Sequence, residues 1–408
     1  MKYIDFVDLD YEPSERELIC DFHLETAGIP LDVLAGGVAA ESSIGTWTEL
    51  TTAKPYMAGL QAKTFEIKGN EIRIAYPPEL FEPGNMPNIL SSVAGNVFGL
   101  LDIKNLRLND IIFPAELMEG FKGPKYGIEG IRKLLGVRER PLVGTIIKPK
   151  LGLRTEDHVN VAYEAWRGGC DIVKDDENLS SQAFNPFDKR LVDSLEARDR
   201  AEEETGEMKV YMVNVTAETD EMIRRAELVE DQGGRYLMVD ILTCGWSALQ
   251  TLRDRGLDLV IHAHRAGHSA FTRSHSHGIN MRVIAKVARI IGVDQLHVGT
   301  AVGKMAETAP EVKANVKALI EPLHGIKDVI PVASGGLYPG LIPALMKIFG
   351  RDFVIQAGGG IHGHPDGSAA GSTALRQAVD AVMAGMSLED YAGDHGELKR
   401  ALETWSVS

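Results

Sequence analysis

GTIIKPK, at residues 144–150, and GGCDIVKDDEN, at residues 168–178, decide the fold. Each is a short apolar run that passes straight into charged residues, and a helical pattern, Glu156–Arg167, lies between them. Apolar side chains on successive rather than alternate positions are what a parallel strand carries when both its faces are covered. Outward from this pair the same unit recurs to the end of the chain. The candidate strands are Val143–Ile147, Asp171–Val173, Val210–Val215, Tyr236–Ile241, Leu257–Ala263, Gln295–Val298, Ile330–Ala333 and Phe353–Gln356. Helical patterns at Asp220–Gln232, Met281–Ile291, Pro310–Ile320 and Tyr338–Ile348 fall among them. Eight strand–helix units predict an α/β fold of the (β/α)₈ TIM-barrel type. A doubly wound sheet is the alternative, but no GxGxxG follows the first strand.

Residues 1–123 read differently. Strand-like stretches at Arg16–Thr26 and Phe65–Ala75 mix with helices around Pro30–Ala40 and Met86–Asn96, which predicts an amino-terminal α+β domain. The glycines and proline of Gly120–Tyr126 mark the boundary, so the barrel is expected over 124–408. The 408 residues are 44% hydrophobic, enough for a sizeable core. A formal net charge of −15 argues against nucleic acid or an anionic membrane as partner. Cys20, Cys170 and Cys244 show no metal or disulfide spacing, as in a reducing compartment. The start, MKYIDFVDLD, lacks the basic and apolar regions of a signal peptide. No apolar run approaches the roughly 18 residues of a membrane helix. A soluble, cytoplasmic protein is the expectation.

Barrel active sites lie at the carboxyl ends of the strands, so the residues just beyond each run matter most. The first strand ends in Lys148-Pro149-Lys150 and the second in Lys174-Asp175-Asp176-Glu177. The fifth ends in His262, His264 and Arg265; the sixth carries His297 and leads to Gly303-Lys304. The seventh ends in Ser334-Gly335-Gly336 and the eighth in Gly358-Gly359-Gly360. Carboxylates are hard oxygen ligands suited to Mg²⁺, although a solvated charge run at a strand end is an equal alternative. Two glycine pairs on consecutive strands suit a phosphate cradle built from backbone N–H groups, or else two tight turns. Lys148, Arg265 and Lys304 would bring cationic groups to the same rim, as a bisphosphate needs. His264 and His297 suit proton transfer near neutral pH or phosphate binding.

With these stretches stand HAHRAGH (262–268), HVGTAVGKM (297–305), ASGG (333–336), QAGGG (356–360), AAESSIGTWTEL (39–50) and GNVFGL (95–100). Together, with the barrel fragments each at a strand end and the last two in the amino-terminal domain, they resemble the large subunit of ribulose-bisphosphate carboxylase/oxygenase (Rubisco). The likeness is greatest to the archaeal-type (form III) branch. The resemblance implies carboxylation, with side oxygenation, of ribulose 1,5-bisphosphate to two molecules of 3-phosphoglycerate through an enediolate. In that branch the bisphosphate can derive from AMP or nucleoside salvage.

The resemblance also implies roles. Lys174, carbamylated by an activating CO₂, would bind Mg²⁺ with Asp176 and Glu177, and the carbamate would take the substrate's C3 proton. Lys148, with Lys150 alongside, would serve the final protonation, and His264 proton handling near the C3 oxygen. Lys304 would close over the site on a mobile loop and stabilise the new carboxylate. Glycines Gly299 and Gly303 give that loop the backbone freedom a lid needs. Arg265, His297, Gly335, Gly336, Gly358 and Gly359 would bind phosphates and Ser334 a hydroxyl, with Gln356 also in the substrate-binding set. Glu41, Thr46, Trp47 and Asn96 would complete the site of a second copy, making a homodimer, or an assembly of dimers, the active form. No small subunit is implied. Relative to the plant-type pattern, Met305-Ala306 lacks an acidic residue, Ile146 stands where a threonine does, and the tail beyond Thr404 is short. Rubisco-like enolases or isomerases of sulfur or sugar-acid metabolism are the rival reading. Those relatives lose several of the positions that this chain keeps. A Schiff-base aldolase would need its lysine in an apolar setting, not beside two acids.

Overall fold

Along β1 (Leu18–Thr26), Leu18, Cys20, Phe22 and Leu24 are buried while Asp21, His23 and Glu25 are partly covered. This period of two is that of a sheet with one face on a core. The computed structural model describes residues 2–304 and 306–405. Of the sequence features singled out above, Met1, Met305 and Ser406–Ser408 lie outside them. β1 pairs antiparallel with β3 (Glu71–Tyr76) and β4 (Ile103–Ile112), and β3 pairs with β2 (Lys63–Lys68). The stretch 65–75 is therefore two strands joined by a turn at Gly69-Asn70, where Gly69 has φ +59°. The helix Leu31–Glu41 packs on this unit through its glycines. A Cβ on Gly36 would stand 2.0 Å from the Tyr3 carbonyl oxygen, so the close approach requires glycine.

The chain parts into two compact units. The first runs to Lys122 and also takes Gly267–Ile291, a segment the sequence reading had counted with the barrel. In that segment the two-residue strand Gly278–Ile279 (β10, the tenth strand in chain order) extends the first sheet, parallel to β4. Within that unit the helix Met281–Ile291 sends Lys286 to Asp110 of β4, 2.6 Å away.

The second unit is a closed barrel of eight parallel strands, in the order β11-β12-β13-β5-β6-β7-β8-β9. They are β5 (Leu142–Ile146), β6 (Ile172–Lys174), β7 (Val210–Asn214), β8 (Tyr236–Asp240), β9 (Val260–His264), β11 (Gln295–His297), β12 (Ile330–Ser334) and β13 (Val354–Gln356). All eight expected strands are present, and the TIM-barrel reading stands. Leu142, Ile172, Val210, Tyr236, Val260, Ile330 and Val354 form one buried cluster near the starts of the strands. Ile131 and Leu135 of the helix Gly127–Leu135 join it. Each such side chain contributes about 1.5–3 kcal/mol by leaving water. Two buried aspartates tie the strand starts together. Asp171 accepts both guanidinium arms of Arg140 at 2.6 and 2.7 Å and the Val143 N–H at 2.8 Å. Asp294 accepts from Arg253 at 2.6 Å and from the N–H groups of Ile261 and Tyr126. Among the described residues no helix is long and apolar enough to cross a membrane.

Arg253 and Asp294 are both almost wholly buried. Removing one member of such a pair strands the other charge, so Arg253→Leu is expected to cost about 3–5 kcal/mol. Urea unfolding at pH 7 checks this. A loss below about 1 kcal/mol would mean the pair does not hold the amino end of the barrel.

Candidate active site

The carboxyl end of β6 carries a buried lysine. Lys174 is fully buried, its ammonium donates to the Asp175 carbonyl oxygen at 2.7 Å, and Glu177 Oε2 lies 3.5 Å away. Burial pushes the amine down from its ordinary range, against the pull of Glu177 and Asp176. The same burial would raise Glu177, but the charges of Lys174 and His264 outweigh it and hold the carboxylate below its usual range. Asp176 accepts from Lys148, at the end of β5, at 2.6 Å and from the backbone and side-chain N–H of Asn178 at 3.1 and 3.0 Å. β5 and β6 are paired neighbours, which is why these two lysines and two acids meet.

Asp175 points elsewhere, as strand alternation requires. It is wholly buried and accepts from Tyr211 at 2.6 Å, Arg190 at 3.1 Å and the Asn214 N–H at 3.0 Å, with His158 Nε2 at 3.1 Å. Burial would raise this carboxyl, but Arg190 and His158 hold it far below the carboxylate range. The segment 174–177 is thereby fastened from behind.

On the far side of the barrel mouth, His264 Nδ1 lies 2.6 Å from Asp240 Oδ1 at the end of β8. Its Nε2 faces Glu177 Oε2 at 3.6 Å. The carboxylate on Nδ1 fixes the ring so that Nε2 is the nitrogen turned toward the acidic cluster. His297 lies edge-on to both His264 and His262, with centroids 4.8 and 4.9 Å apart. Its two nitrogens face His262 Nε2 at 2.9 Å and Ser334 Oγ at 2.7 Å. Arg265 is buried and paired with Glu307 at 2.6 Å. After β12, Gly335 and Gly336 take φ +120° and +75°. The loop carrying Lys304 rests on them, with the Lys304 N–H donating to the Gly335 carbonyl at 3.3 Å and an exposed side chain. Gly358 follows β13, and a Cβ there would meet Lys148 at 3.1 Å. Gly359 opens the short helix Gly359–His362.

Lys148, Lys174, Asp176, Glu177, His264, Arg265, His297, Lys304, Ser334, Gly335, Gly336, Gly358 and Gly359 thus stand at or just beyond the ends of six barrel strands. Lys150 is exposed. Gln356 is fully buried against Gly144, with neither amide atom hydrogen-bonded among the described residues. Glu41, Thr46, Trp47 and Asn96 belong to the first unit. There Glu41 accepts from the Tyr3 hydroxyl at 2.7 Å, and Trp47 is 81% exposed. Sequence reasoning missed Asp240, Asp175 and Glu307. Position after a strand pointed to Asp175; Asp240 falls inside the expected strand Tyr236–Ile241, and nothing in the sequence singled out Glu307. Among the described residues no three His, Cys, Asp or Glu side chains are grouped to hold a metal. Asp176 and Glu177 follow Lys174 at the same strand end, Glu177 lying 3.5 Å from its amine.

Comparison with known proteins places the chain in a family. Residues 127–405 match the family model for the ribulose bisphosphate carboxylase large chain, catalytic domain, and residues 5–117 its N-terminal domain. The ribulose bisphosphate carboxylase of Methanocaldococcus jannaschii is 50% identical over 98% of this chain and 100% of its own. That of Pyrococcus furiosus is 51% identical over 99% and 97%. Among solved structures, the octameric Rubisco of Pyrococcus horikoshii in complex with sulfate ion aligns with a TM-score of 0.96 at 50% identity, covering 99% of this chain and 97% of that one. The dimeric Rubisco of Hyperthermus butylicus aligns with a TM-score of 0.92 at 46% identity, covering 99% of each. The chain belongs to the ribulose bisphosphate carboxylase large-chain family.

Proposed function

We propose that this protein carboxylates ribulose 1,5-bisphosphate to two molecules of 3-phosphoglycerate, with oxygenation as a side reaction, and that it needs Mg²⁺ and a carbamate on Lys174. The observation that carries the reading is the burial of Lys174. A buried amine held toward its neutral form is the form that captures CO₂, and the carbamate so formed is an anionic oxygen donor beside Asp176 and Glu177. Two carboxylates and a carbamate are a hard, all-oxygen set of the kind Mg²⁺ takes, with positions left for substrate. The donors present therefore fit the ion, which when bound supplies Lewis-acid polarisation of substrate oxygens.

The chain's own residues do the rest. The carbamate on Lys174 takes the C3 proton of the sugar. His264, backed by Asp240, holds and returns a proton near the C3 oxygen. Lys148, with Lys150 nearby, protonates the final carbanion, and Lys304 closes over the site to neutralise the new carboxylate. Arg265 and the N–H groups of Gly335, Gly336, Gly358 and Gly359 bind the two phosphates, while Ser334 contacts a substrate hydroxyl and Gln356 supports the wall; His297, expected among the phosphate ligands, has both nitrogens turned to His262 and Ser334 and acts through Ser334 instead. Closure excludes water from the reactive enediolate. Glu41, Thr46, Trp47 and Asn96 of a second copy complete each site, so a homodimer is the smallest active form. The exposure of Trp47 within its own unit supports this, because a large aromatic so bare is suited to an interface.

The protein, incubated with bicarbonate, Mg²⁺ and ribulose bisphosphate under argon, is expected to move labelled carbon into 3-phosphoglycerate and to stop when Mg²⁺ is chelated. No product from folded, CO₂-preincubated protein would turn the reading to the Rubisco-like enolases. Lys174→Ala is expected to abolish turnover; wild-type rates in that variant would reject the carbamate. Glu41→Gln and Lys304→Ala, each inactive alone, should regain activity when mixed into heterodimers, and no recovery in confirmed mixed dimers would count against a shared site.

A further inference from the structure

His262 is wholly buried in the barrel and has no task in the chemistry above. Its Nδ1 lies 2.9 Å from Gln295 Oε1 and its Nε2 lies 2.9 Å from His297 Nε2. His297 Nδ1 in turn lies 2.7 Å from Ser334 Oγ. The four side chains form a file across the neighbouring strands β9, β11 and β12, with Gln295 in register with His262. Burial, then the charge of Lys174, pushes His262 down to about 3. Burial, then the neighbouring His264, likewise takes His297 well below its ordinary range. Both rings are therefore neutral near pH 7. A neutral imidazole donates through one nitrogen and accepts through the other, so the file runs in one direction at a time.

Gln295 sets that direction. Its carbonyl oxygen can only accept, so the proton of His262 sits on Nδ1. His262 Nε2 is then bare and accepts from His297 Nε2–H. His297 Nδ1 is bare in its turn and accepts from the Ser334 hydroxyl. The other end of the Gln295 amide, Nε2, is buried with no hydrogen-bond partner among the described residues. An apolar side chain of the same shape would avoid that penalty, so the bond to His262 accounts for an amide in this wall. An amide neither gains nor loses a proton here, so the file fixes a polarity and does not drain protons from the mouth.

We propose that Gln295 is a positioning residue. Acting through His262 and His297, it turns the Ser334 hydroxyl inward, so that the oxygen offers only lone pairs to the ligand and selects a donor there, a sugar hydroxyl rather than a phosphate or carboxylate oxygen. The tautomer assignment stands by itself; its consequence for turnover rests on the carboxylase reading.

The test uses wild type and Gln295→Met, which keeps the length and loses the amide, both with ring-¹⁵N histidine and without substrate at neutral pH. The two rings are identified by the signals lost in His262→Asn and His297→Asn. Wild type is expected to show His262 protonated at Nδ1 and His297 at Nε2; Gln295→Met should show both rings mixed between tautomers. With ribulose bisphosphate, kcat/KM of Gln295→Met should fall about tenfold, the worth of one hydrogen bond, through KM more than kcat. Its melting temperature should not fall, since an unpaired buried amide is gone. A wild-type spectrum with the protons reversed, or with either ring an imidazolium, overturns the proposal even where the variant does not fold. So does a variant that keeps the wild-type tautomers and kinetics. Wild type without carboxylase activity would sink the carboxylase reading alone, and the nitrogen spectra would still decide the tautomers.

Discussion

Taking an ammonium out of water is among the costlier things a fold can do, and this barrel does it with Lys174 at the carboxyl end of its second strand. Desolvation drives the amine toward neutrality, while Glu177 and Asp176 pull it back toward charge. Neither force could be tuned if the segment 174–177 were free to move. Asp175 provides the anchor: its side chain is locked by Tyr211, Arg190 and the Asn214 backbone on the opposite side of the strand. The alternation of a strand thus divides the work, one acid facing the barrel wall as a structural ion and the next facing the mouth as a candidate ligand.

Closure of the sheet makes the other strands answer to this one. β5 brings Lys148 onto Asp176, and β8 and β9 together bring His264, held by Asp240, onto Glu177. Each acid of the pair is faced by a cationic or proton-carrying group from a different strand, a layout that an open sheet with two edges would not gather around a centre. The opposite end of the barrel bears the mechanical load, through Asp171 with Arg140 and Asp294 with Arg253. The two ends share strands but no side chains, so chemistry at the mouth can vary without loosening the staves.

What could be read from the sequence follows from how local each signal is. The eight barrel strands were legible because burial on both faces writes unbroken apolar runs, and Lys174, Asp176 and Glu177 because they are contiguous at the end of one. β4 mixes polar residues into its alternation, and β10 is two residues long and exists by pairing with β4, so neither announces itself. The transfer of Gly267–Ile291 to the first unit is equally silent, since Lys286 finds Asp110 only through the fold. Asp240 and Glu307 are ordinary acids until His264 and Arg265 arrive beside them. Roles for Glu41, Thr46, Trp47 and Asn96 came from family resemblance, because no property of a single chain marks a residue as belonging to another copy's site.

Burial acts on the basic groups of the mouth in one sense and on the acids in the other. It lowers Lys174, His262 and His297 alike, whereas Glu177 is held below its ordinary range, against burial, by the charges of Lys174 and His264. The result is a site whose negative charge is concentrated on Asp176 and Glu177, whose positive charge stands at Lys148, Arg265 and Lys304, and whose imidazole file between them is neutral. Neutral groups in a low-dielectric wall recognise by direction and not by charge. A ligand with an anionic group at each end and hydroxyls between would meet cations at its ends and oriented dipoles along its middle. The placement of Gln295, at the inner end of that file, sets which way those dipoles point.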